Sequence, residues 1–260
     1  FAVRLPSVLA GTISIFLIYY IVKDQGSKLN ATFAAGVAAL NPWLIHFSRG
    51  AWEANLSLML TLAGILLFLK SFKKNKTILY SAILFSLTLF TYQGAKLSTG
   101  IVVFCLVFVY RNELAKFPKK YLAQSVVVGL LLGAPIALSI FTGQAGRLKV
   151  FSIFSYPRPQ SYTQHILTQA NATPNSLVTS LYYSEPLYFT RSILGRYFNH
   201  FSGGFLFFRG DWQNVRHSAP YQGMLQVADI GLLPIGLFSV FKLTKHRYIQ
   251  FILLWLLLAP

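Results

Sequence analysis

The sequence predicts an all-α integral membrane protein, a multi-span helical bundle of about eight spans with one long extracytoplasmic loop. Two observations carry this prediction. Of the 260 residues, 55% are hydrophobic and 11% are charged, whereas soluble domains carry about 25% charged residues. Apolar runs rich in Leu, Ile, Phe and Ala also recur along most of the chain, and their length is typical of helices rather than strands.

Eight apolar segments can be marked along the chain. Several are shorter than the roughly 20 residues that cross a bilayer core, so we expect their ends to extend into flanking Tyr, Trp, Lys and Arg. The segments are 5–22, 31–47, 54–69, 77–92, 95–110, 121–141, 225–241 and 249–260. The predicted regions are a six-helix transmembrane block at 1–141, an extracytoplasmic loop region at 142–224, and further, truncated transmembrane helices at 225–260.

The net charge of +17 would indicate a nucleic-acid partner in a soluble protein. Here the basic residues occupy short connections between apolar runs, so they indicate membrane topology and no nucleic-acid partner is expected. Alternate connections hold thirteen of them, namely Lys23, Lys28, Lys70, Lys73, Lys74, Lys76, Arg111, Lys116, Lys119, Lys120, Lys242, Lys245 and Arg247. The opposite connections hold Arg4, Arg49 and Lys96. The basic set is expected to face the cytoplasm, which places residues 48–53, 91–96 and 142–224 on the extracytoplasmic face.

The stretch SRGAWE, residues 48–53, is the first polar feature of that face. Pro42 is expected to break the preceding span, because proline removes a backbone donor. Arg49 and Glu53 are four residues apart, a spacing that places two side chains on one face of a helix. Two interpretations are open at this point: an ion pair that caps a plain helical hairpin, or the rim of an active site.

The turn TYQGAK, residues 91–96, is the second polar feature. Gly94 permits a tight bend, and Tyr92, Gln93 and Lys96 offer hydrogen-bonding groups and a cation. The alternative interpretation is a solvated turn, in which Lys96 covers apolar surface with its carbon chain and extends its ammonium group into water.

The long segment contributes Arg209, Asp211 and His217, which lie in the aromatic-rich stretch 196–217. Arginine pairs with phosphate oxygens through a bidentate fork, so a basic, aromatic loop beside a bilayer suits an anionic lipid headgroup. Glycoside hydrolysis typically needs two carboxyl groups, and this face has few acids. Transfer from a sugar phosphate needs one base for the acceptor and cations for the departing phosphate, which fits the composition better.

Six stretches of the sequence are found together and in a fixed order. They are RLPSVLAGT (4–12), NPWLIHFSRGAWEANL (41–56), LFTYQGAKL (89–97), RLKVFSIF (147–154), HFSGGFLFFRGDWQNVRHS (200–218) and the final WLLLAP. In this order they resemble the polytopic lipid-linked glycosyltransferases, the superfamily of protein O-mannosyltransferases and bacterial lipid-A aminoarabinose transferases. The resemblance implies a GT-C type fold and inverting transfer of a sugar from a polyprenyl-phosphate donor to an acceptor protein, lipid or glycan on the extracytoplasmic face.

The resemblance also implies roles for individual residues. Glu53, where many members have Asp, and Arg49 are the expected catalytic residues. Lys96, Arg209 and Arg4 are candidates for the donor phosphate, and Tyr92, Gln93, Asp211 and His217 are candidates for sugar or acceptor contacts. A first transmembrane helix and an outer loop with the main acidic motif are expected to precede Phe1, so the chain is interpreted as an internal piece of a longer protein.

The rival interpretation is a transporter or flippase of a lipid-linked or anionic substrate. Transporters typically carry internal repeats and ionisable residues at mid-membrane, and no convincing repeat is found here. No cofactor is predicted, although a divalent metal is left open, because this stretch of sequence has no compact ligand cluster and Cys105 is its one cysteine. The expected location is a plasma membrane, bacterial in origin, with the active face outside the cytoplasm.

Overall fold

The computed structural model describes residues 2–141, 167–169, 177, 185–211 and 216–260. The regular secondary structure of these residues is helical. The chain divides into two compact units, one formed by Phe1–Gln144 and Gly204–Pro260 and the other by Ala145–Gly203. The motif at 147–154 lies outside the described residues.

The first unit contains ten helices among its described residues, and each predicted apolar segment coincides with one or two of them. They are α1 Leu5–Gln25, α2 Lys28–Leu40, α3 Pro42–Arg49, α4 Glu53–Ser71, α5 Thr77–Thr91, α6 Ala95–Val109, α7 Arg111–Ala115, α8 Lys119–Phe141, α10 Asp229–Lys242 and α11 Arg247–Leu258, with a π-helical turn at Gly204–Arg209. Within the described residues α1 and α4 are long and apolar enough to cross a membrane, and four shorter apolar helices accompany them. The helical prediction is therefore confirmed.

The main described element of the second unit is α9, Glu185–Asn199. Within this helix Arg196 Nη2 donates to Ser192 Oγ at 2.6 Å, and His200 Nδ1 lies 2.9 Å from the Arg196 carbonyl at the end of the helix. These local contacts fix the last turn of α9.

The second predicted segment, 31–47, is interrupted at Asn41–Pro42, which confirms the break expected at Pro42. Asn41 has extended backbone angles (φ −65°, ψ 123°) and separates the 13-residue α2 from the 8-residue α3. Pro42 opens α3, where its missing N–H costs nothing, and the Asn41 side chain accepts a hydrogen bond from Leu44 N at 3.0 Å. The Asn-Pro pair thus ends one helix and caps the next.

Helix α1 has its small residues inside and its large apolar residues outside. Its buried positions are Ser7, Ala10, Gly11 and Ser14. Its exposed positions include large apolar side chains, namely Val8, Leu9, Ile13 and Phe16. A soluble protein would bury the large residues, whereas helices in lipid pack through small ones. This inverted pattern indicates a helix that contacts lipid.

The helices pack so that polar loops collect at two opposite ends. Helix α1 packs on α2, α3 and α4, α4 packs on α5, α5 packs on α6 and α8, and α6 packs on α11. Because short connections join α1 to α2, α4 to α5 and α5 to α6, these neighbours run antiparallel. One end, called the site end below, holds residue 4 and the connections 50–52 and 92–94. The basic connections between α1 and α2 and between α4 and α5 lie at the other end.

Candidate active site

A buried polar cluster of Ser7, Ser48 and Asn55 joins α1, α3 and α4 near the site end. Asn55 is fully buried (0% exposed), and its Nδ2 donates to the Ser7 carbonyl at 2.9 Å and to Ser48 Oγ at 3.0 Å. Ser7 Oγ donates to the Phe47 carbonyl at 2.9 Å. Since water is scarce at such a position, these bonds hold the three helices in one arrangement.

Gly11 makes the close approach of these helices possible. A Cβ at this position would lie 2.0 Å from Ser48 Oγ and 3.0 Å from Asn55 Nδ2. Only glycine leaves room for the cluster. The sequence reading missed this cluster, although Ser, Asn and Gly on apolar helices are a recognised sign of helix packing in membranes.

Arg49 and Glu53 lie on two different helices, so the expectation that they share one helix face is wrong. Helix α3 ends at Arg49 because Gly50 is extended (φ −95°, ψ 173°), and α4 begins at Glu53 after an extended Trp52. A Cβ on Gly50 would meet the Trp52 indole nitrogen at 2.2 Å, which explains the glycine. Both side chains are exposed, and no ion pair joins them among the described residues.

Three charged residues lie within three positions of a member of the buried polar cluster in the sequence. Arg4 precedes Ser7 by less than one helical turn, Arg49 follows Ser48 directly, and Glu53 lies two residues before Asn55. A helical turn rises about 5.4 Å. The start of α1 and the α3–α4 hairpin therefore present two cations and one carboxylate at the same end, each of them exposed.

The α5–α6 turn lies at the same end on a separate pair of helices. Tyr92 and Gln93 are exposed and Lys96 is partly exposed. The ring of Tyr92 lies over Gly94, where a Cβ would meet its Cε1 at 2.5 Å. Thr88 and Thr99 share a hydrogen bond of 2.6 Å that ties α5 to α6. No hydrogen bond or ion pair within the described ranges joins this turn to Arg49 or Glu53.

Asp211 and His217 form a pair beside the hairpin. His217 Nδ1 lies 2.8 Å from Asp211 Oδ2, and the two side chains are 40% and 42% exposed. The imidazole packs against Phe47 and Trp52, each with a centroid distance of 6.3 Å. An ionised carboxylate can only accept, so it orients the ring with Nδ1–H toward Asp211.

Hydrogen bonds hold the segment 216–226 against the ends of α2 and α3. Asn41 Nδ2 donates to the Met224 carbonyl at 3.1 Å, and Gln226 Nε2 donates to the Leu40 carbonyl at 2.6 Å. His46 Nε2 lies 3.0 Å from the Arg216 carbonyl. Residues more than 165 positions apart are thereby joined, which brings Asp211 and His217 to the SRGAWE hairpin.

Arg209 is the exposed last residue of the π-helical turn, and no described contact joins it to the hairpin cations. Glycines fix the position of this turn. Gly210 has a positive φ of 56°, and a Cβ on Gly223 would lie 2.3 Å from the Leu206 carbonyl oxygen. Within the described ranges no group of three His, Cys, Asp or Glu side chains is arranged to hold a metal ion.

Apolar helices that pack through small residues and carry charged residues at one end are typical of an integral membrane protein. The sequence model of the dolichyl-phosphate-mannose-protein mannosyltransferase family matches residues 1–138, more than half of the chain. The chain belongs to this family, and it is a membrane glycosyltransferase of the mannosyltransferase type. The resemblance noted in the sequence is thus confirmed. Comparisons with curated proteins and with solved structures give no match.

Proposed function

We propose that the protein transfers a sugar from a polyprenyl-phosphate donor to an acceptor hydroxyl on the extracytoplasmic face of the membrane, with inversion at the anomeric carbon. The observation that carries the proposal is the exposed grouping of Arg4, Arg49 and Glu53 around the buried cluster of Ser7, Ser48 and Asn55. Exposed charges on a rigid support suit a reaction in which a phosphate departs and a hydroxyl loses its proton.

Glu53 is the proposed proton acceptor of this grouping. Of the other acids described at this end, Asp211 is paired with His217, and Asp229 accepts a hydrogen bond from Gln226 N at 3.0 Å. Glu53 is exposed at the first residue of α4 and makes no described ion pair. Its carboxylate is therefore better placed than either to take a proton from an incoming hydroxyl.

The proposed step is a single displacement. The acceptor oxygen forms a bond to the anomeric carbon while the bond from that carbon to the phosphate oxygen breaks. The hydroxyl proton passes to the Glu53 carboxylate, and the electron pair leaves with the polyprenyl phosphate. Arg49 and Arg4 stabilise that developing charge, because guanidinium groups bind phosphate oxygens in a bidentate fork. Lys96 and Arg209 are proposed to bind the same donor phosphate, and Tyr92, Gln93, Asp211 and His217 to contact sugar or acceptor.

The distribution of basic residues supports the extracytoplasmic placement of this end. The short connections at the site end and the residues beside them include Arg4, Arg49 and Lys96, whereas the short connections at the opposite end and the residues beside them include the thirteen lysines and arginines named in the sequence. Cytoplasmic connections carry the excess of Lys and Arg. The site end is accordingly proposed to lie outside the cytoplasm, where a lipid-linked donor would present its sugar.

The test uses the full-length protein in lipid vesicles with radiolabelled polyprenyl-phosphate mannose. We expect Glu53→Gln and Arg49→Ala each to lower polyprenyl-phosphate release at least about tenfold, equivalent to roughly 1.4 kcal/mol of barrier. Asp24→Asn and Arg111→Ala are matched controls, because both change an exposed residue of the same type at the opposite end. If both site variants release polyprenyl phosphate at the wild-type rate, the stretch SRGAWE has only a structural role.

A further inference from the structure

Two lysines from different helices meet over one tyrosine ring at the end opposite the candidate active site. Lys23 lies in the last turn of α1, and Lys70 lies in the last turn of α4. The Nζ atom of each lysine lies 5.9 Å from the centroid of the Tyr20 ring, which is within the range of a cation–π contact. The shared ring therefore holds both ammonium groups near one point on the surface.

Neither lysine has an acidic partner within the described part of the chain. The ion pairs found there involve other residues. Asp24 follows Lys23 in the sequence, but it is exposed and makes no ion pair among the described residues. Two cations held close together repel each other, and an anion between them turns that repulsion into attraction. The pair is therefore complementary to one compact anionic group, such as a phosphate, which accepts hydrogen bonds from ammonium groups.

An exposed apolar stripe runs along α1 to this pair. Leu9, Ile13, Phe16 and Tyr20 follow one another at spacings of four, three and four residues, so they share one face of the helix. Their exposed fractions range from 43% to 60%. From the first to the last of them the helix rises about 16 Å, which is half of a hydrocarbon core of roughly 30 Å. The stripe thus has the length of one leaflet, and it ends at a tyrosine, a residue enriched at membrane interfaces.

We propose that this corner of the protein binds one anionic phospholipid, whose phosphate lies between Lys23 and Lys70 and whose acyl chain lies along the stripe on α1. A lipid fits better than free phosphate, because the paired cations and the apolar stripe are continuous on one helix. The bound phosphate would link α1 to α4 at the end opposite the buried cluster around Asn55. The inference does not depend on the transferase proposal.

The test measures lipid binding to the full-length protein by native mass spectrometry from detergent micelles. The probes are dioleoyl phosphatidylglycerol, which carries a net negative charge, and dioleoyl phosphatidylcholine, whose choline group neutralises its phosphate. We expect the first phosphatidylglycerol to bind at least about fivefold more tightly than phosphatidylcholine, the factor that one basic residue contributes near an anionic headgroup. Inorganic phosphate at the same concentration should not displace the lipid.

Two lysine variants and a matched control test the headgroup site. Lys23→Gln and Lys70→Gln should each raise the dissociation constant of phosphatidylglycerol at least about fivefold and leave that of phosphatidylcholine unchanged. Both lysines are at least partly exposed, so the variants should keep the fold. The control is Lys242→Gln, which removes the same charge from the same end. Lys242 Nζ lies 4.6 Å from the exposed Phe238 ring, where the described residues place no second cation, so this variant should bind like the wild type.

A phenylalanine variant tests the acyl-chain stripe. Phe16 is 60% exposed, and Phe16→Ala should weaken both phospholipids by the same factor of at least about two, because it removes dispersion contacts with a chain that both lipids share. Phe104→Ala is the control, since Phe104 is 55% exposed on α6, and it should change neither dissociation constant. Equal binding by the two phenylalanine variants would overturn the placement of the chain on α1.

Three other results would overturn the inference. Equal affinity of the wild-type protein for the two phospholipids would mean that no anionic site exists. Equal losses in Lys23→Gln, Lys70→Gln and Lys242→Gln would show attraction to the net charge of this end rather than to a defined pair. Displacement of the lipid by inorganic phosphate would assign the pair to a free anion.

Discussion

Substitution of Gly11 by alanine should destabilise the α1–α3–α4 contact measurably. The new Cβ would begin 2.0 Å from Ser48 Oγ, whereas ordinary contact begins at 3.4 Å. Ser48 would have to rotate away, which breaks its bonds to the Leu44 carbonyl (2.6 Å) and from Asn55 Nδ2 (3.0 Å). Overpacking of this kind costs about 1–3 kcal/mol, and each net hydrogen bond about 0.5–1.5 kcal/mol.

A gain in helix propensity opposes that loss. Alanine is better than glycine in a helix by about 1 kcal/mol. With about 2 kcal/mol for overpacking and about 1 kcal/mol for each of the two bonds, the net loss should be about 3 kcal/mol. For a chain of this size that corresponds to an apparent Tm lower by about 6–12 °C. The assay is thermal unfolding of the purified protein in detergent, with Gly100→Ala as the matched control. Gly100 is also helical, and a Cβ there meets nothing within 4 Å.

The double variant with Ser48→Ala isolates the cause. If the clash with Ser48 Oγ is responsible, removal of that oxygen should recover part of the loss, and the two substitutions should not be additive. A Gly11→Ala protein that unfolds at the same temperature as the Gly100→Ala protein would refute the reasoning. It would mean that the three helices do not approach as closely as the polar cluster requires.

Two further substitutions test other parts of the first unit. Gly223→Ala should loosen the segment 217–224, because the new Cβ meets backbone atoms that no rotamer change can move. Trypsin should cleave after Arg216 faster in Gly223→Ala than in the control Gly231→Ala, because a Cβ on Gly231 meets nothing within 4 Å. Equal cleavage rates in the two variants would contradict this reasoning. Arg247→Gln should lower the apparent Tm more than Glu113→Gln. Both break the 3.2 Å ion pair, which is about one-third exposed and worth at most about 1 kcal/mol, but Arg247 also donates to a carbonyl of α6. Equal losses would show that this second bond contributes nothing.

The contrast between sequence and structure is clearest at SRGAWE. Sequence spacing put Arg49 and Glu53 on one helix, and this was wrong because Gly50 and Trp52 are extended and interrupt the helix. The spacing rule applies only within one continuous helix. It does not predict that the Trp52 indole occupies the space that a Cβ on Gly50 would need. The prediction of a break at Pro42 was confirmed, since a missing backbone donor is a local property.

The sequence by itself determined the helical segments, their antiparallel succession and the family, because apolar runs, helix-breaking residues and ordered motifs are properties of neighbouring residues. The tertiary structure decided which polar residues meet. Asp211 and His217 reach the hairpin only because Asn41, His46 and Gln226 bond across more than 165 residues. The buried cluster around Asn55 likewise depends on contacts between separate helices. Such contacts are set by packing in three dimensions, which no local pattern encodes.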